Sequence, residues 1–473
     1  MKTLKNYLYN LSYQLLVLIL PIILTPYISR VLKVDGIGLH SVAVAVGNYF
    51  ILFGMLGINS YGSRQIAYVR DDIDELKKTF WEINILKLFT MGLSICLYII
   101  MVTFFIPYDK QIIYYIETLT LLASLFDISW LFSGLEQFKV TAIRNIIVKI
   151  TGVLLIVLLV KQKEDLWLYT LILSTASLIG QIIIWKDIPN DIKKIDFNIH
   201  KLCNHFKNTI KLWLPSIAIQ VYSSLDKVML GYIINDTQAG LYESSQKLVR
   251  MGATITTAMS TVLVPKMSNL YINNKNNEFK EVACKAFSFV SMLSFPLAFG
   301  LAAIRKSLVP WFYGSGYEAT SNLLLISSWL IVSLGWSSIL GLQVLVSSKN
   351  EIKYTFSVTI GAIVNIILNV LLIKKFQSAG ALVASVLAEY IGMTIMMYFS
   401  RKLISINNCL RSAPKYLLFS LCMYFIVYNI GELFPYSIYS TFLQIFIGLL
   451  VYILLLIIFK DDHVKSLIRF IKK

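Results

Sequence analysis

The sequence predicts an all-α polytopic membrane protein with about 14 transmembrane helices, arranged as two six-helix lobes plus two C-terminal helices around a central cavity. Composition, span length and the placement of basic residues support this fold class. Of 473 residues, 57% are hydrophobic and only 15% are charged, and the mean hydropathy is +0.70. Soluble domains have about 45–50% apolar and about 25% charged residues. We therefore expect lipid to contact most of the surface.

The predicted spans are apolar runs of about 20 residues separated by short polar turns. They cover residues 10–28, 39–60, 80–105, 112–133, 143–160, 166–185, 209–234, 242–264, 283–304, 321–346, 354–373, 379–400, 413–430 and 437–459. The N-terminal run has two lysines but no small-x-small cleavage site, so we interpret it as a retained first helix. The longest cytoplasmic link is 186–208, and the largest outer loop is predicted to be 305–320.

The distribution of positive charge tests this number of spans. With a cytoplasmic N terminus, the outer loops contain only 9 of the 43 Lys and Arg residues. Such a bias is what the positive-inside rule predicts. It persists to the basic tail, which indicates an even number of spans and a multi-pass cell-membrane protein with both termini in the cytoplasm. Topology then accounts for the net charge of +17, and we expect no nucleic-acid partner.

The two halves of the chain resemble each other. The stretches TPYISRVLKVDGIGLHSVA and SLDKVMLGYIINDTQAGLYESS each end a helix, pass a polar turn and reach a Gly-Leu pair, at Gly38 and Gly240. This repeat predicts an N-terminal lobe at 1–200, a C-terminal lobe at 201–402, and a two-helix extension with a basic tail at 403–473. Transporters built from such repeats place the substrate site at the interface between repeats.

Three charges in the eighth predicted span need an explanation. Glu243, Lys247 and Arg250 share one helical face with Thr254 and Thr257, because a helix turns about 100° per residue. A charge at the bilayer centre costs about 2.5–3.5 kcal/mol. We therefore expect this face to line a water-filled cavity, with Arg250 too deep for easy snorkelling. The alternative for the other two is an i,i+4 salt bridge.

Other spans contain polar side chains that are candidates for the same cavity. Those in the first, second and seventh spans are Gln14, Asn48, Ser216, Gln220 and Lys227. For the neutral ones, helix packing is the simpler alternative. Four acidic residues are candidates for ion coupling, because a desolvated carboxylate holds a proton more tightly. They are Asp127, Asp226, Glu243 and Glu389, and each has the alternative of pairing with Lys or Arg.

Several kinds of chemistry find no support in the sequence. The five cysteines contain no CxxC pair and the four histidines have no metal-ligand spacing, so we expect no metal, no cofactor and no redox pair. There is no GxxxxGK[ST] loop for ATP and no nucleophile elbow. A cavity with Lys and Arg suits phosphate or pyrophosphate, which Arg can bind through two oxygens. Amides and hydroxyls suit sugars.

The chain resembles the Wzx-type polysaccharide flippases of the multidrug/oligosaccharidyl-lipid/polysaccharide exporter superfamily. The resemblance rests on LPIILTPYISRVLKVDGIGLHSVA, on SSLDKVMLGYIINDTQAGLYESSQKLV and on the plan of about 14 helices. It implies a transporter, not an enzyme, that moves undecaprenyl-pyrophosphate-linked oligosaccharide repeat units across the cytoplasmic membrane by alternating access for capsule or O-antigen synthesis. A glycan polymerase or assembly complex is the protein partner that this implies.

The resemblance also bears on the cations. Related lipid II flippases have a cavity arginine on the eighth helix, and Lys247 and Arg250 are the comparable residues here. The charged residues that those flippases have on their first two helices have no mid-helix counterpart in this sequence. With Lys227, these two cations are expected to hold the diphosphate.

Three alternatives stay open at this point. A multidrug antiporter of the same superfamily would favour acidic cavity residues over cationic ones. A membrane polysaccharide polymerase would need a large outer loop. A scaffold for glycan assembly would not need charges within the membrane.

Overall fold

The computed structural model describes residues 2–465, with side chains from residue 20 onward except at 138, 199, 200, 214, 215, 218, 219, 221, 222, 258, 259, 261 and 262. Every regular element within residues 2–465 is a helix, which confirms the predicted all-α class. The chain divides into two compact units, the first ending at Tyr232 and the second beginning at Ile233.

The first unit consists mainly of eight α-helices. They are α1 (Lys2–Met55), α2 (Ile58–Val69), α3 (Ile73–Phe105), α4 (Tyr108–Phe126), α5 (Ser129–Gly134), α6 (Phe138–Leu159), α7 (Leu166–Ile183) and α8 (Ile199–Ile233), the last of which ends at the unit boundary. Helix α4 packs against α1, α3 and α7. The core at one end of this unit is aromatic, with the rings of Phe80 and Trp130 centred 5.5 Å apart.

The second unit consists of a further eight α-helices and a π-helical segment. They are α9 (Asp236–Ile272), α10 (Asn276–Tyr313), α11 (Glu318–Ser327), α12 (Trp329–Ser338), the π-helix Ile339–Val346, α13 (Glu351–Ser400), α14 (Ile406–Leu410), α15 (Ala413–Leu433) and α16 (Ile438–Ile458). Helix α10 packs against α9, α12, α15 and α16 and is the centre of this unit.

Two of the helices are pairs of predicted spans joined at a kink. Helix α1 contains the first span and most of the second, and it bends at Lys33, whose φ is 59°. Helix α13 contains the eleventh and twelfth spans and bends at Gln377, whose φ is 52°. Within the described residues, ten helical stretches are long and apolar enough to cross a membrane, and the two that contain these kinks are each 50 residues long. The number of 14 spans stays a prediction.

The internal repeat has a structural counterpart at its turns. The α1 kink at Lys33 lies shortly before Gly38. Asn235, the residue that caps α9, lies the same number of residues before Gly240. The Asn235 side chain accepts a hydrogen bond from the Gln238 backbone N–H at 2.9 Å. In the first half the helix bends and continues; in the second half it ends and a new helix begins. The predicted lobe boundaries at 200 and 402 stay predictions.

The predicted outer loop at 305–320 is wrong in length. Helix α10 continues to Tyr313 and α11 begins at Glu318. The charges that interrupt the apolar pattern are held within the helix, because the Arg305 guanidinium donates to its own helix at the Ala302 carbonyl (2.6 Å) and Lys306 pairs with Glu432 of α15 at 2.7 Å. Only a tight turn with two glycines at positive φ remains between the helices.

The second unit contains a disulfide that the spacing of the cysteines did not predict. Cys284 at the start of α10 and Cys409 in α14 form a disulfide across 125 residues of sequence. The scattered spacing gave no indication of this pair, because only the packing of α14 against α10 brings the two side chains together.

The contact between α2 and α5 gives the first prediction. A Cβ atom added at Gly62 would lie 2.5 and 2.8 Å from ring atoms of the buried Trp130, which cannot retreat. Overpacking a core costs about 1–3 kcal/mol. We expect Gly62→Ala to lower the unfolding midpoint of the detergent-purified protein in a thermal-stability assay. Gly92→Ala is the matched control, since no atom lies within 4 Å of the added methyl group there. Equal midpoints for the two variants would contradict the packing.

Candidate functional site

Helix α9 has two polar faces, and the first holds it in the second unit. On this face the Ser245 hydroxyl lies 2.6 Å from that of Ser327 on α11, and the Ser260 hydroxyl lies 2.7 Å from that of Ser338 on α12. Both α9 serines are buried. Hydroxyl pairs of this kind join helices in an apolar solvent, where an unpaired polar group is costly.

The second polar face is the stripe predicted from the sequence. The side chains of Arg250 and Thr254 are exposed, and those of Glu243, Lys247 and Thr257 are half-buried. The stripe therefore lies outside the tightly packed interior of the second unit. The Thr254 hydroxyl donates to the Arg250 carbonyl at 2.7 Å, and the Thr257 hydroxyl donates to the Ala253 carbonyl at 3.0 Å. Since these hydroxyl protons are used within the helix, the threonines offer acceptor lone pairs to a ligand.

The candidates of the seventh predicted span lie on α8, in the first unit. Lys227 is half-buried, and its neighbour Asp226 is only 2% exposed. The Ser216 hydroxyl donates to its own helix at the Leu212 carbonyl (3.2 Å). The Gln220 amide donates to the Ser224 hydroxyl at 3.0 Å, which is also an interaction within α8.

The remaining candidates are dispersed. Asn48 is half-buried on α1, whereas the side chain of Gln14 lies outside the described residues. Asp127 lies at the break between α4 and α5, where its carboxylate accepts the backbone N–H of Ser129 at 2.8 Å. Glu389 is half-buried on α13 and interacts electrostatically with the neighbouring Tyr354 and Tyr390. The assignment of all these residues to a substrate or ion site stays a prediction.

An apolar groove of about 600 Å³ lies within the second unit. Helices α9, α10, α15 and α16 provide most of its lining, with a contribution from α12. The lining includes Gly252, Ile255, Gly300, Met423 and Gly448. Small residues on three of the helices leave the space open. The sequence analysis assigned no role to the two C-terminal helices, α15 and α16, which form one wall.

The groove and the cationic stripe share helix α9. Ile255 and Gly252 of the groove lie about 120° and 180° around the helix from Glu243, whereas Lys247 and Thr254 lie within about 40° of it. The nearest groove residue is thus about 80° from the nearest stripe residue. One helix therefore presents a positively charged face and an apolar face next to each other.

Four buried polar residues of the first unit, three of them ionisable, were not among the predicted site residues. Lys87 on α3 is fully buried, and its ammonium donates to the Asp127 backbone carbonyl at 2.6 Å. One turn away, Asn84 is also fully buried, and neither atom of its amide has a hydrogen-bond partner among the described residues. Glu82 and Glu117 are 1% and 2% exposed. All four lie inside predicted spans, so the rule that flags intramembrane polar residues could have found them.

Glu82 ties the beginning of α8 to α3. Its carboxylate accepts the Asn198 backbone N–H at 3.1 Å and lies 2.9 Å from Nε2 of His205. The other ring nitrogen of His205 lies 2.8 Å from the hydroxyl of Tyr61 on α2. Both carboxylate oxygens are therefore engaged, which is typical of a buried structural network.

Comparison with known proteins places this architecture in a family. The family model described as "Polysaccharide biosynthesis protein" matches residues 3–271. The putative O-antigen transporter of Escherichia coli K12 is 22% identical over 387 residues, which cover 81% of this chain and 93% of that protein. The structure titled "Lipid II flippase MurJ, inward closed conformation" superposes with a TM-score of 0.78 at 19% identity, over 98% of this chain and 100% of that chain.

A multidrug resistance MATE family transporter of the MOP superfamily, in its outward-facing conformation, is a more distant structural match. It superposes with a TM-score of 0.50 at 10% identity, over 80% of this chain and 94% of that chain. Both structural likenesses show a shared fold. The resemblance stated from the sequence is confirmed, and the chain belongs to the polysaccharide biosynthesis protein family of membrane proteins.

Proposed function

We propose that this protein is a flippase that translocates undecaprenyl-pyrophosphate-linked oligosaccharide repeat units across the cytoplasmic membrane by alternating access, for capsule or O-antigen synthesis. The observation that carries the proposal is the pair of adjacent faces on α9, one cationic and one apolar. A lipid-linked oligosaccharide has the complementary parts, because its diphosphate is anionic and its polyprenyl chain is apolar.

The cationic face suits the diphosphate. Arg250 is exposed, whereas Lys247 is half-buried, and its planar guanidinium can bind two phosphate oxygens at once. Lys247 adds a point charge one turn away. Charge-assisted hydrogen bonds of this kind contribute about 1.5–3 kcal/mol each. The acceptor oxygens of Thr254 and Thr257 suit sugar hydroxyls.

The apolar groove suits the part of the lipid next to the diphosphate. Its lining is almost entirely aliphatic, so the polyprenyl chain would exchange one apolar solvent for another at little cost. A chain seated there would keep the diphosphate beside α9 while the glycan crosses. The groove would therefore restrict the substrate to glycans that carry a lipid.

The names of the relatives support the same class of substrate. One is a putative O-antigen transporter, and the structural neighbour with the same fold is a lipid II flippase. Both are transporters and not enzymes, and we assign this chain the same kind of activity. A glycan polymerase or assembly complex is the partner that would consume the product.

The alternatives have weaker support. A multidrug antiporter would bind organic cations, which the Lys247 and Arg250 stripe would repel. A polymerase would need a large outer domain, whereas α10 and α11 are joined by a tight turn where the longest outer loop is expected.

Substitution of Arg250 tests the headgroup site. We expect Arg250→Ala to lower the rate of glycan export about 10- to 100-fold, the factor that corresponds to one lost charge-assisted contact. Arg250→Lys should retain part of the activity, because it keeps the charge but loses the bidentate geometry. Export is measured by complementation of a flippase-deficient strain, normalised to the protein level in the membrane. Normal export by Arg250→Ala at a normal protein level would refute the site.

A bulky substitution in the groove tests the lipid site. A Cβ atom at Gly300 meets only the flexible end of Met423, at 3.7 Å, so Gly300→Phe can place its ring in the groove without a backbone clash. We expect it to slow flipping of a labelled polyprenyl-linked glycan in proteoliposomes at least tenfold, since a phenyl ring fills space the chain needs. Gly92→Phe, at a position with open surroundings, is the control. Similar rates for both variants would exclude the groove from the transport path.

The topology is tested independently of the substrate. We propose that both termini are cytoplasmic, from the low content of Lys and Arg in the outer loops. Reporter fusions that are active only in the cytoplasm should therefore be active at either terminus and inactive after residue 110 or residue 163. Activity at one terminus alone would indicate an odd number of spans.

A further inference from the structure

Helix α10 has a second functional face, turned away from the apolar groove. Gly300 and Ile304 line the groove. Ala298, Ala302 and Arg305 lie roughly 100–160° around the helix from these two residues. The second face is therefore distinct from the surface that we assign to the transported lipid.

A small apolar pocket of about 70 Å³ opens on this face, between α10, α11, α12 and α15. Its lining includes Ala298 and Ala302 of α10, Trp329 of α12 and Tyr424 of α15. Trp329 is 39% exposed. The ring of Phe299 packs edge-on against both aromatic walls, with its centre 5.3 Å from Trp329 and 6.1 Å from Tyr424. The pocket can therefore take a short segment of hydrocarbon from the membrane.

Two cations lie on the same face, nearer the end of the helix. The Arg305 guanidinium lies over the ring of Tyr428 at 5.6 Å, and the Lys306 ammonium lies 5.3 Å from the same ring. Lys306 also pairs with Glu432 at 2.7 Å and donates to the Tyr428 hydroxyl at 3.1 Å. The ring of Tyr428 stacks on that of Tyr424, so one row of aromatic rings joins the cations to the pocket.

Arg305 has more donors than partners. It is only 8% exposed, and of its guanidinium nitrogens only Nη1 forms a hydrogen bond within the described part of the chain, to the Ala302 carbonyl at 2.6 Å. Glu432 acts on it at longer range, since that carboxylate is held by Lys306. An arginine that needed only water would extend toward it. This one is folded over Tyr428, and an anion is the group that meets its remaining donors.

The depths of the cations and of the pocket fit a phospholipid. The ninth and thirteenth predicted spans end shortly before Arg305 and Glu432, which puts the cluster at the level of the lipid headgroups. The pocket at Ala298 and Ala302 is about 5–10 Å deeper along α10. The headgroup layer of one leaflet is about 5–8 Å thick. A phosphate on the cations would therefore place the beginning of its acyl chains at the pocket.

The charge of the cluster selects among lipids. Two cations, Arg305 and Lys306, face one carboxylate, Glu432, so the net charge is +1. A phosphodiester carries one negative charge and balances it. The diphosphate of the transported lipid carries at least two, and Glu432 would repel the excess.

From this geometry we propose that Arg305 and Lys306, together with the pocket beside Trp329, bind one molecule of an anionic glycerophospholipid from the surrounding membrane. With the N terminus in the cytoplasm, this lipid belongs to the outer leaflet. The site does not depend on the proposed flippase function, because its ligand is a component of the bilayer and not the transported glycan.

The test is cross-linking of a photoreactive lipid. The full-length protein is placed in phosphatidylcholine nanodiscs that contain a small fraction of phosphatidylglycerol with a diazirine at the glycerol end of one acyl chain. The labelled residues are identified by mass spectrometry after proteolysis. We expect labelling at Trp329 and Tyr424. Arg305→Gln should lower it at least tenfold, the factor that corresponds to one lost charge-assisted hydrogen bond.

Arg401→Gln is the matched control. Arg401 also lies over a tyrosine ring, that of Tyr398 at 3.8 Å, but it caps the end of α13, which does not line the pocket. Its replacement should leave the labelling unchanged. Lys306→Gln changes a half-buried side chain and decides the matter if Arg305→Gln does not fold. It too should lower the labelling at Trp329.

Four results would overturn the site. They are absence of labelling at the pocket in the wild type, labelling retained by both Arg305→Gln and Lys306→Gln, and equal labelling by a phosphatidylcholine probe that carries the same diazirine. The fourth is stronger displacement of the label by polyprenyl diphosphate than by unlabelled phosphatidylglycerol, which would assign the face to the transported lipid. Loss of glycan export by another variant bears on the flippase function alone.

Discussion

The cost of an unsatisfied polar group in lipid governs this structure. In water a lone serine or glutamate on a helix needs no partner, but in a bilayer each one must find a hydrogen-bond partner, a counter-charge or a water-filled space. Helix α9 meets this requirement in two ways. Its buried face pairs Ser245 and Ser260 with hydroxyls of α11 and α12, and its other face keeps Lys247 and Arg250 outside the packed interior. The hydrogen bonds of the buried face hold helix α9 in place, and its cationic face therefore has a defined position.

The same constraint applies to the buried carboxyl groups of the first unit. Glu82 has partners for both carboxylate oxygens, and these contacts link the beginning of α8 to α3. Glu117 is as deeply buried, but its only ionic partner in the described part of the chain, His40, lies at 4.0 Å and is itself titratable. The two Glu–His pairs thus differ in how completely they are satisfied.

The two units contain different groups that bear on function. The second unit provides the apolar groove and the α9 cations that we assign to the lipid and its diphosphate. The first unit contains buried ionisable groups, among them Lys87, Glu82 and Glu117.

The sequence by itself determined the membrane class, the all-α fold and the polar stripe of α9. These follow from apolar length and from a period of 3.6 residues, which are local properties. It did not reveal the groove, the Cys284–Cys409 pair or the meeting of Glu117 with His40, because each joins side chains from distant helices. Whether an intramembrane charge is satisfied depends on which helix packs against it. Only the tertiary structure decides that, since helix packing in lipid uses small and polar contacts that leave little trace in the sequence pattern.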